Sequence, residues 1–187
     1  LKARWGVVGY ITLPFGVSVR PALLLAFALF SLPVLAASVG QVLANVEIRD
    51  ANNEPAKIPN LGKKVLSIFY TDPDVSDLND PFADALNAAN LSKEAHQGIG
   101  IANLKDTWLP GSVIRAVVRR KIEKYDSVIL TDPDHLLSTA WGLGDCNEQS
   151  VVLVIDKSAK LRYLKRGAMS AAEIEAGLAL VKQLIAE

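Results

Sequence analysis

Five consecutive apolar residues, Val151 to Ile155, constrain this chain more than any other stretch in it. A run with no polar alternation suits a strand buried on both faces, which requires a covering layer on each side. Asp156 to Lys160 then reads as a tight turn, and Leu161 to Leu164 returns as the hairpin partner. Upstream, Ser127 to Thr131 is a short β-branched strand, Asp132-Pro133-Asp134 a turn, and His135 to Trp141 has room for about two helical turns.

The same reading extends to the rest of the chain. Val46 to Arg49 is a short strand followed by a polar turn at Asp50 to Glu54, and Val65 to Tyr70 (VLSIFY) is a central-strand candidate. The next loop, TDPDVSDLNDP from Thr71, is rich in carboxylates. Asp80, with Pro81 behind it, is placed to cap a helix from Pro81 to Leu91. Gly98 to Leu104 is a further strand, and Lys105 to Gly111 ends in a Pro-Gly turn. Ser112 is placed to cap a helix from Val113 to Tyr125, with Ile114, Val117, Val118, Ile122 and Tyr125 as its apolar stripe and a wet basic remainder. Ser170 and Glu173 have capping-box spacing and open a last helix marked by Ile174, Leu178, Val181 and Ile185.

Arg20-Pro21 precedes ALLLAFALFSL, then Pro33 and Val34-Leu35-Ala36-Ala37. Charge, a short apolar core and a small-residue site are the pattern of a secretory signal cleaved before Ala37. The expected organisation is a signal peptide over 1–36 and one domain over 37–187, in the periplasm, with no stable membrane span after cleavage. Of the 20 basic residues, three precede Ala37, so the domain holds 17 against 20 acidic, a net of −3. That sum gives no reason to expect nucleic acid or an anionic membrane surface. One cysteine, Cys146, cannot close an internal disulfide.

The order of strand, Asp-Pro-Asp turn, short helix, apolar strand, Ile155-Asp156-Lys157 turn and strand resembles the second half of thioredoxin-fold proteins of the peroxiredoxin and exported thiol-oxidoreductase type. At finer grain, Leu109-Pro110-Gly111-Ser112, Ala140-Trp141, Ser150 to Lys157 and Gly167-Ala168 are similar to the YtfJ family of exported bacterial proteins. The resemblance implies an α/β, thioredoxin-like three-layer fold: a central mixed β-sheet flanked by helices, with a first hairpin covering one sheet edge. It also implies a nucleophilic cysteine in the loop at Thr71 and a cis-proline at the position of Ser150, and this chain has neither. A trans bond is expected at Ser150, since a cis bond there would cost about 3 kcal/mol. Ala159 stands where relatives commonly have Gly, so either the turn differs there or Ala159 bears a left-handed strain of about 1 kcal/mol.

Thr71, Asp72, Asp74 and Ser150 are therefore the candidates for lining a ligand groove. Asp72, Asp74, Ser76, Asp77 and Asp80 lack the Gly and terminal Glu of a calcium loop and are expected to be solvated, so no metal is assigned. Cys146 is the one catalytic candidate; Asp145 and Glu148 beside it should raise its pKa. His96 and His135 read as surface residues, and Trp108 and Trp141 as core or groove aromatics. The function expected is binding or accessory work in the cell envelope, on a protein or small ligand, without a cofactor. The alternative is a thiol oxidoreductase or peroxidase-like protein acting through Cys146.

Overall fold

A computed structural model describes residues 36–125 and 127–187, so the expected signal peptide lies outside the described residues except for Ala36. The elements in order are β1 (Ile48–Arg49), β2 (Pro55–Ala56), β3 (Val65–Thr71), α1 (Asp80–Ala88), β4 (His96–Asn103) and α2 (Gly111–Tyr125). They continue as β5 (Val128–Asp132), α3 (Leu136–Trp141), β6 (Ser150–Ile155), β7 (Leu161–Arg166) and α4 (Ala171–Ala186). Seven strands form one sheet in the order β2-β1-β5-β4-β3-β6-β7. β3, β4 and β5 run parallel, β6 and β7 are antiparallel to their neighbours, and the β1–β2 hairpin covers the β5 edge. This is the mixed three-layer α/β architecture that the resemblance implied.

The apolar run in β6 has the predicted cause. Val151, Leu153 and Ile155 enter a cluster with Leu66, Ile68, Tyr70, Leu137 and Trp141, whereas Val152 and Val154 enter one with Phe82, Leu86, Val181 and Leu184. α3 thus lies on one face, α1 and α4 on the other, and every β6 residue is buried. α2 packs Ile114 and Val118 against Ala102 and Ile129. The indole N–H of Trp141 donates to the Ala44 carbonyl (2.8 Å) and fastens the lead-in segment over α3. Residues 34–187 form one unit, and all three clusters draw on residues from Ala37 onward, so this part carries its own core.

Several local expectations change. β1 starts at Ile48 rather than Val46, and β4 starts at His96 rather than Gly98. Asp80 is the first residue of α1, whose N-cap is Asn79, and the Asn79 side chain is occupied elsewhere. Ser112 lies inside α2, which begins at Gly111. Val117 is 47% exposed and does not belong to the buried stripe. In α4 the buried line is Gly177, Val181 and Leu184, with Ile174, Leu178 and Ile185 half-buried beside it. The Ser170–Glu173 capping box is present as read.

Ala159 adopts φ 60°, so of the two alternatives the left-handed one holds. Its N–H donates to the Asp156 carbonyl (3.0 Å), and its own carbonyl accepts from Leu43 (2.8 Å), so the turn is held on both sides. Ala159→Gly should relieve the strain and raise stability by about 0.5–1 kcal/mol in urea unfolding. An unchanged or lower midpoint would show that the turn bears no net strain.

Candidate functional site

The carboxyl ends of β3, β4 and β5 and the amino end of β6 meet at one edge of the sheet. Thr71 and Ser150 are paired in register there, and their hydroxyl oxygens lie 2.9 Å apart. The Asn79 amide donates to the Ser150 hydroxyl (3.0 Å) and the Gly167 carbonyl (3.1 Å), while its oxygen accepts from the Met169 N–H (3.0 Å). This is why Asn79 does not cap its own helix. One buried side chain ties the start of α1 to β6 and to the segment leading into α4.

Asp72 is buried, against the expectation of a solvated loop. One carboxylate oxygen accepts from Asp74 N (3.0 Å) and the other from Glu148 N (2.8 Å), while Asp72 N donates to the Gln149 carbonyl (2.9 Å). The loop after β3 is thereby sewn to the loop before β6. Asp74 is exposed and accepts a long bond from the Thr107 hydroxyl (3.4 Å). Of the four groove candidates, Asp72 and Ser150 are buried with their oxygens engaged inside the chain, so Thr71 and Asp74 offer the surface. No cis peptide bond occurs among the described residues, so the bond before Ser150 is trans.

Cys146 is 1% exposed, and its sulfur lies 3.5 Å from the Gly144 carbonyl. Burial is the main influence pushing the thiol pKa up; the Arg166 guanidinium pulls it down, and Asp106 and Asp145 push it up again. Glu148 does not act on the sulfur as expected, and its N–H is turned to Asp72.

Three polar groupings here escaped sequence reasoning. Asp132, fully buried, accepts from the N–H groups of Leu136 (2.9 Å), Leu137 (3.1 Å) and Ser138 (3.2 Å) and from the Tyr70 hydroxyl (3.1 Å). Four donors on one carboxylate offset its burial and seat α3 on β5. Burial also holds the Tyr70 phenol well above its ordinary pKa. Secondly, His135 is half-buried rather than a free surface residue, with Nε2 2.9 Å from Asp106 Oδ2 and 3.1 Å from Asn103 Oδ1. Asn103 donates through Nδ2 to Asp106 and accepts at Oδ1 from Lys105 N (3.2 Å), so both neighbours of Nε2 are acceptors and Nε2 carries the proton. His135 also lines a cleft of about 370 Å³ with Ala36, Ser138, Thr139, Gly142 and Gly144. Thirdly, His96 is half-buried in β4, 3.0 Å from the Ser67 hydroxyl. The Asp-Pro-Asp turn was the one signal for the first grouping; the other two join residues about 30 positions apart, without a local pattern.

Trp141 is fully buried and Trp108 is 82% exposed. Every buried side-chain nitrogen or oxygen among the described residues has a hydrogen-bond partner, and no group of three or more His, Cys, Asp and Glu side chains there could hold a metal ion.

Sheet order and the crossing of the Thr71 loop with Ser150 define a thioredoxin-like protein. Solved structures agree: the exposed lipoprotein thioredoxin of Streptococcus pneumoniae matches with TM-score 0.55 and 14% identity, over 73% of this chain and 99% of that one. A peroxiredoxin-like protein from Aquifex aeolicus gives TM-score 0.56 and 13% identity, over 80% and 89%. BsSco, of the Sco family of cytochrome c oxidase assembly proteins, gives 0.55 and 10%, over 80% and 96%. At these identities the likeness concerns the fold alone.

The chain belongs to the family described as "Bacterial protein of unknown function (YtfJ_HI0045)", whose sequence model matches residues 44–184. It is 26% identical over 108 residues to an uncharacterized protein of Haemophilus influenzae and 27% over 110 residues to the uncharacterized protein YtfJ of Escherichia coli. Each match covers 57% of this chain, and the chain spans 58% of the length of each relative.

Two outcomes test this description. Asn79→Ala strands the Ser150, Gly167 and Met169 groups together and should cost about 3 kcal/mol, measured by chemical unfolding; a loss under about 1 kcal/mol would show that water replaces the amide. Burial lowers the His96 pKa from 6.5 to about 4, so the folded form disfavours the charged ring. Between those values the unfolded chain takes up a proton that the folded one refuses. Stability is therefore full above pH 6.5 and falls as pH drops towards 4, by about 2 kcal/mol after discounting for partial exposure. His96→Gln should flatten that limb.

Proposed function

We propose that this is a binding or accessory protein of the cell envelope, exported through its N-terminal segment and free of redox chemistry of its own. The observation that carries the reading is the content of the Thr71–Ser150 junction. Where thiol chemistry would need a low-pKa sulfur at a helix start, Thr71, Asn79 and Ser150 hydrogen-bond in a chain through the Ser150 hydroxyl, and the Asp72 carboxylate is held by the N–H groups of Asp74 and Glu148. The one thiol is buried behind it, with its pKa pushed up chiefly by burial. Hydroxyls and amides of ordinary acidity recognise a partner; they do not exchange electrons with one. Thr71, Asp74, His135 and Thr139 supply the accessible polar groups of this edge, facing an envelope protein or a small ligand. BsSco, which shares the fold, belongs to a family of assembly proteins and gives the reading a precedent in kind.

A second reading, a thiol oxidoreductase acting through Cys146, draws on Arg166, whose charge acts to stabilise the thiolate. The two separate cleanly. On the first, the purified protein reduces insulin and consumes hydrogen peroxide no faster than the reductant alone, and Cys146 reacts with iodoacetamide more slowly than free cysteine at neutral pH. Turnover above background that disappears in Cys146→Ser would establish the second reading and sink the first.

A further inference from the structure

Six large apolar side chains are exposed among the described residues: Val39, Val42, Trp108, Val113, Val117 and Leu136. Three of them fall between Trp108 and Val117, where α2 begins. On that helix Ile114 and Val118, four residues apart, are turned to the sheet, while Val113 and Val117, also four apart, keep 49% and 47% of their surface in solvent. Helical spacing continues the outer line to Arg120, which is exposed. The helix therefore has two apolar lines, one covered by the domain and one uncovered. Trp108, three residues before the helix, is 82% exposed, and the uncovered line itself runs from Val113 through Val117 to the cation Arg120.

Charge sharpens the asymmetry. From Gly111 to Tyr125 the sequence holds Arg115, Arg119, Arg120, Lys121 and Lys124 against Glu123, a net of +4. Since residues 37–187 sum to −3, the remainder of the domain carries −7, and the low overall charge conceals a cationic helix on an acidic body. Arg119 is already used, donating to the Ala51 carbonyl (2.8 Å). Arg120, exposed on the outer line, makes no such contact among the described residues.

We propose that Trp108 and the outer line of α2 are a docking face for the surface of an anionic phospholipid bilayer. A protruding indole, a pair of half-exposed valines and a following group of cations match what an interfacial helix needs: apolar groups to enter the acyl boundary and positive charge to meet phosphates. A bilayer also asks for no complementary pocket, so side chains that project singly can be buried at once, whereas a protein partner would have to supply a recess for each. The attachment lies on the membrane, in keeping with the finding that no helix among the described residues is long and apolar enough to cross one. The face uses none of the groups of the Thr71–Ser150 junction, so it can fail while the binding reading stands, and the reverse.

Residues 34–187, which carry the whole core and hold Trp108 and the buried Trp141, are mixed with vesicles of phosphatidylcholine alone or of equal parts phosphatidylcholine and phosphatidylglycerol. On the anionic vesicles the protein should sediment at least about tenfold more strongly, more weakly at high salt. Its fluorescence should shift to the blue and be quenched by brominated acyl chains through Trp108. Trp108→Ser should abolish the shift and weaken partitioning about tenfold, and Arg120→Glu with Lys124→Glu about tenfold or more, since each basic group near such a surface contributes about fivefold. Unchanged thermal midpoints would exclude misfolding of the variants. Equal binding to both vesicles, no binding, or binding indifferent to both variants would overturn the proposal; so would capture by soluble polyglutamate without vesicle binding, the mark of an acidic protein partner.

Discussion

The antiparallel pairing of β3 with β6 governs this molecule. Six register pairs, from Leu66 with Ile155 to Thr71 with Ser150, place the two most buried strands side by side, between β4 and β7. Because β6 is apolar on both faces, the pairing forces helices onto each side: α3 over Val151, Leu153 and Ile155, and α1 with α4 over Val152 and Val154. It also fixes what happens at the edge. The last pair in the ladder is the one whose hydroxyls touch, so the chemistry of the edge is set by the register of the core.

On the proposed reading, that edge keeps the geometry of a thioredoxin-like junction with hydroxyls, an amide and a carboxylate in place of a thiol. A thiolate at a helix start is stabilised by leaving N–H groups unpaired and aimed at it. Here the donors are consumed internally: Glu148 N and Asp74 N on Asp72, Met169 N on Asn79, and the Asn79 amide on Ser150. A buried polar network with every partner present joins its segments rigidly, because breaking any one bond leaves the others unsatisfied in a poorly solvating medium. The junction is therefore built for shape. Cys146 is kept apart from it, closed in by Gly144 and Leu143 and reached electrostatically by Arg166.

The strands and layers were legible because their cause is local. Val65 to Tyr70 and Val151 to Ile155 announce burial through unbroken apolar runs, while the left-handed turn at Ala159 was one of two outcomes that the resemblance implied. The polar site was legible only in part. Thr71 and Ser150 followed from the resemblance to thioredoxin-fold proteins, but Asn79 reads locally as a residue before a helix, and its task depends on Ser150 and Met169, 71 and 90 positions away. Asp72 looks like one of four loop carboxylates until Glu148 N, 76 positions on, donates to it. His135, Asp106 and Asn103 come together only because β4 and β5 are parallel neighbours whose ends emerge on the same edge. Sequence spacing carries no trace of contacts that the sheet order creates.

Net charge misleads for a related reason. A sum of −3 describes the field far from the molecule, whereas a partner at contact feels charges within about a Debye length, roughly 8–10 Å. Over that range α2, about 22 Å long by helical rise, is a separate cationic object. Val117 was assigned to the buried stripe on the same averaging, because an apolar residue three after Ile114 fits a broad stripe as well as a second line. Placing Ile114 and Val118 against the sheet leaves Val113 and Val117 about a third of a turn away, outside the contact with Ala102 and Ile129. An apolar line that the core does not need, continuing into a cation on an otherwise acidic body, has no covering partner among the described residues, and that is the ground for the proposed docking face.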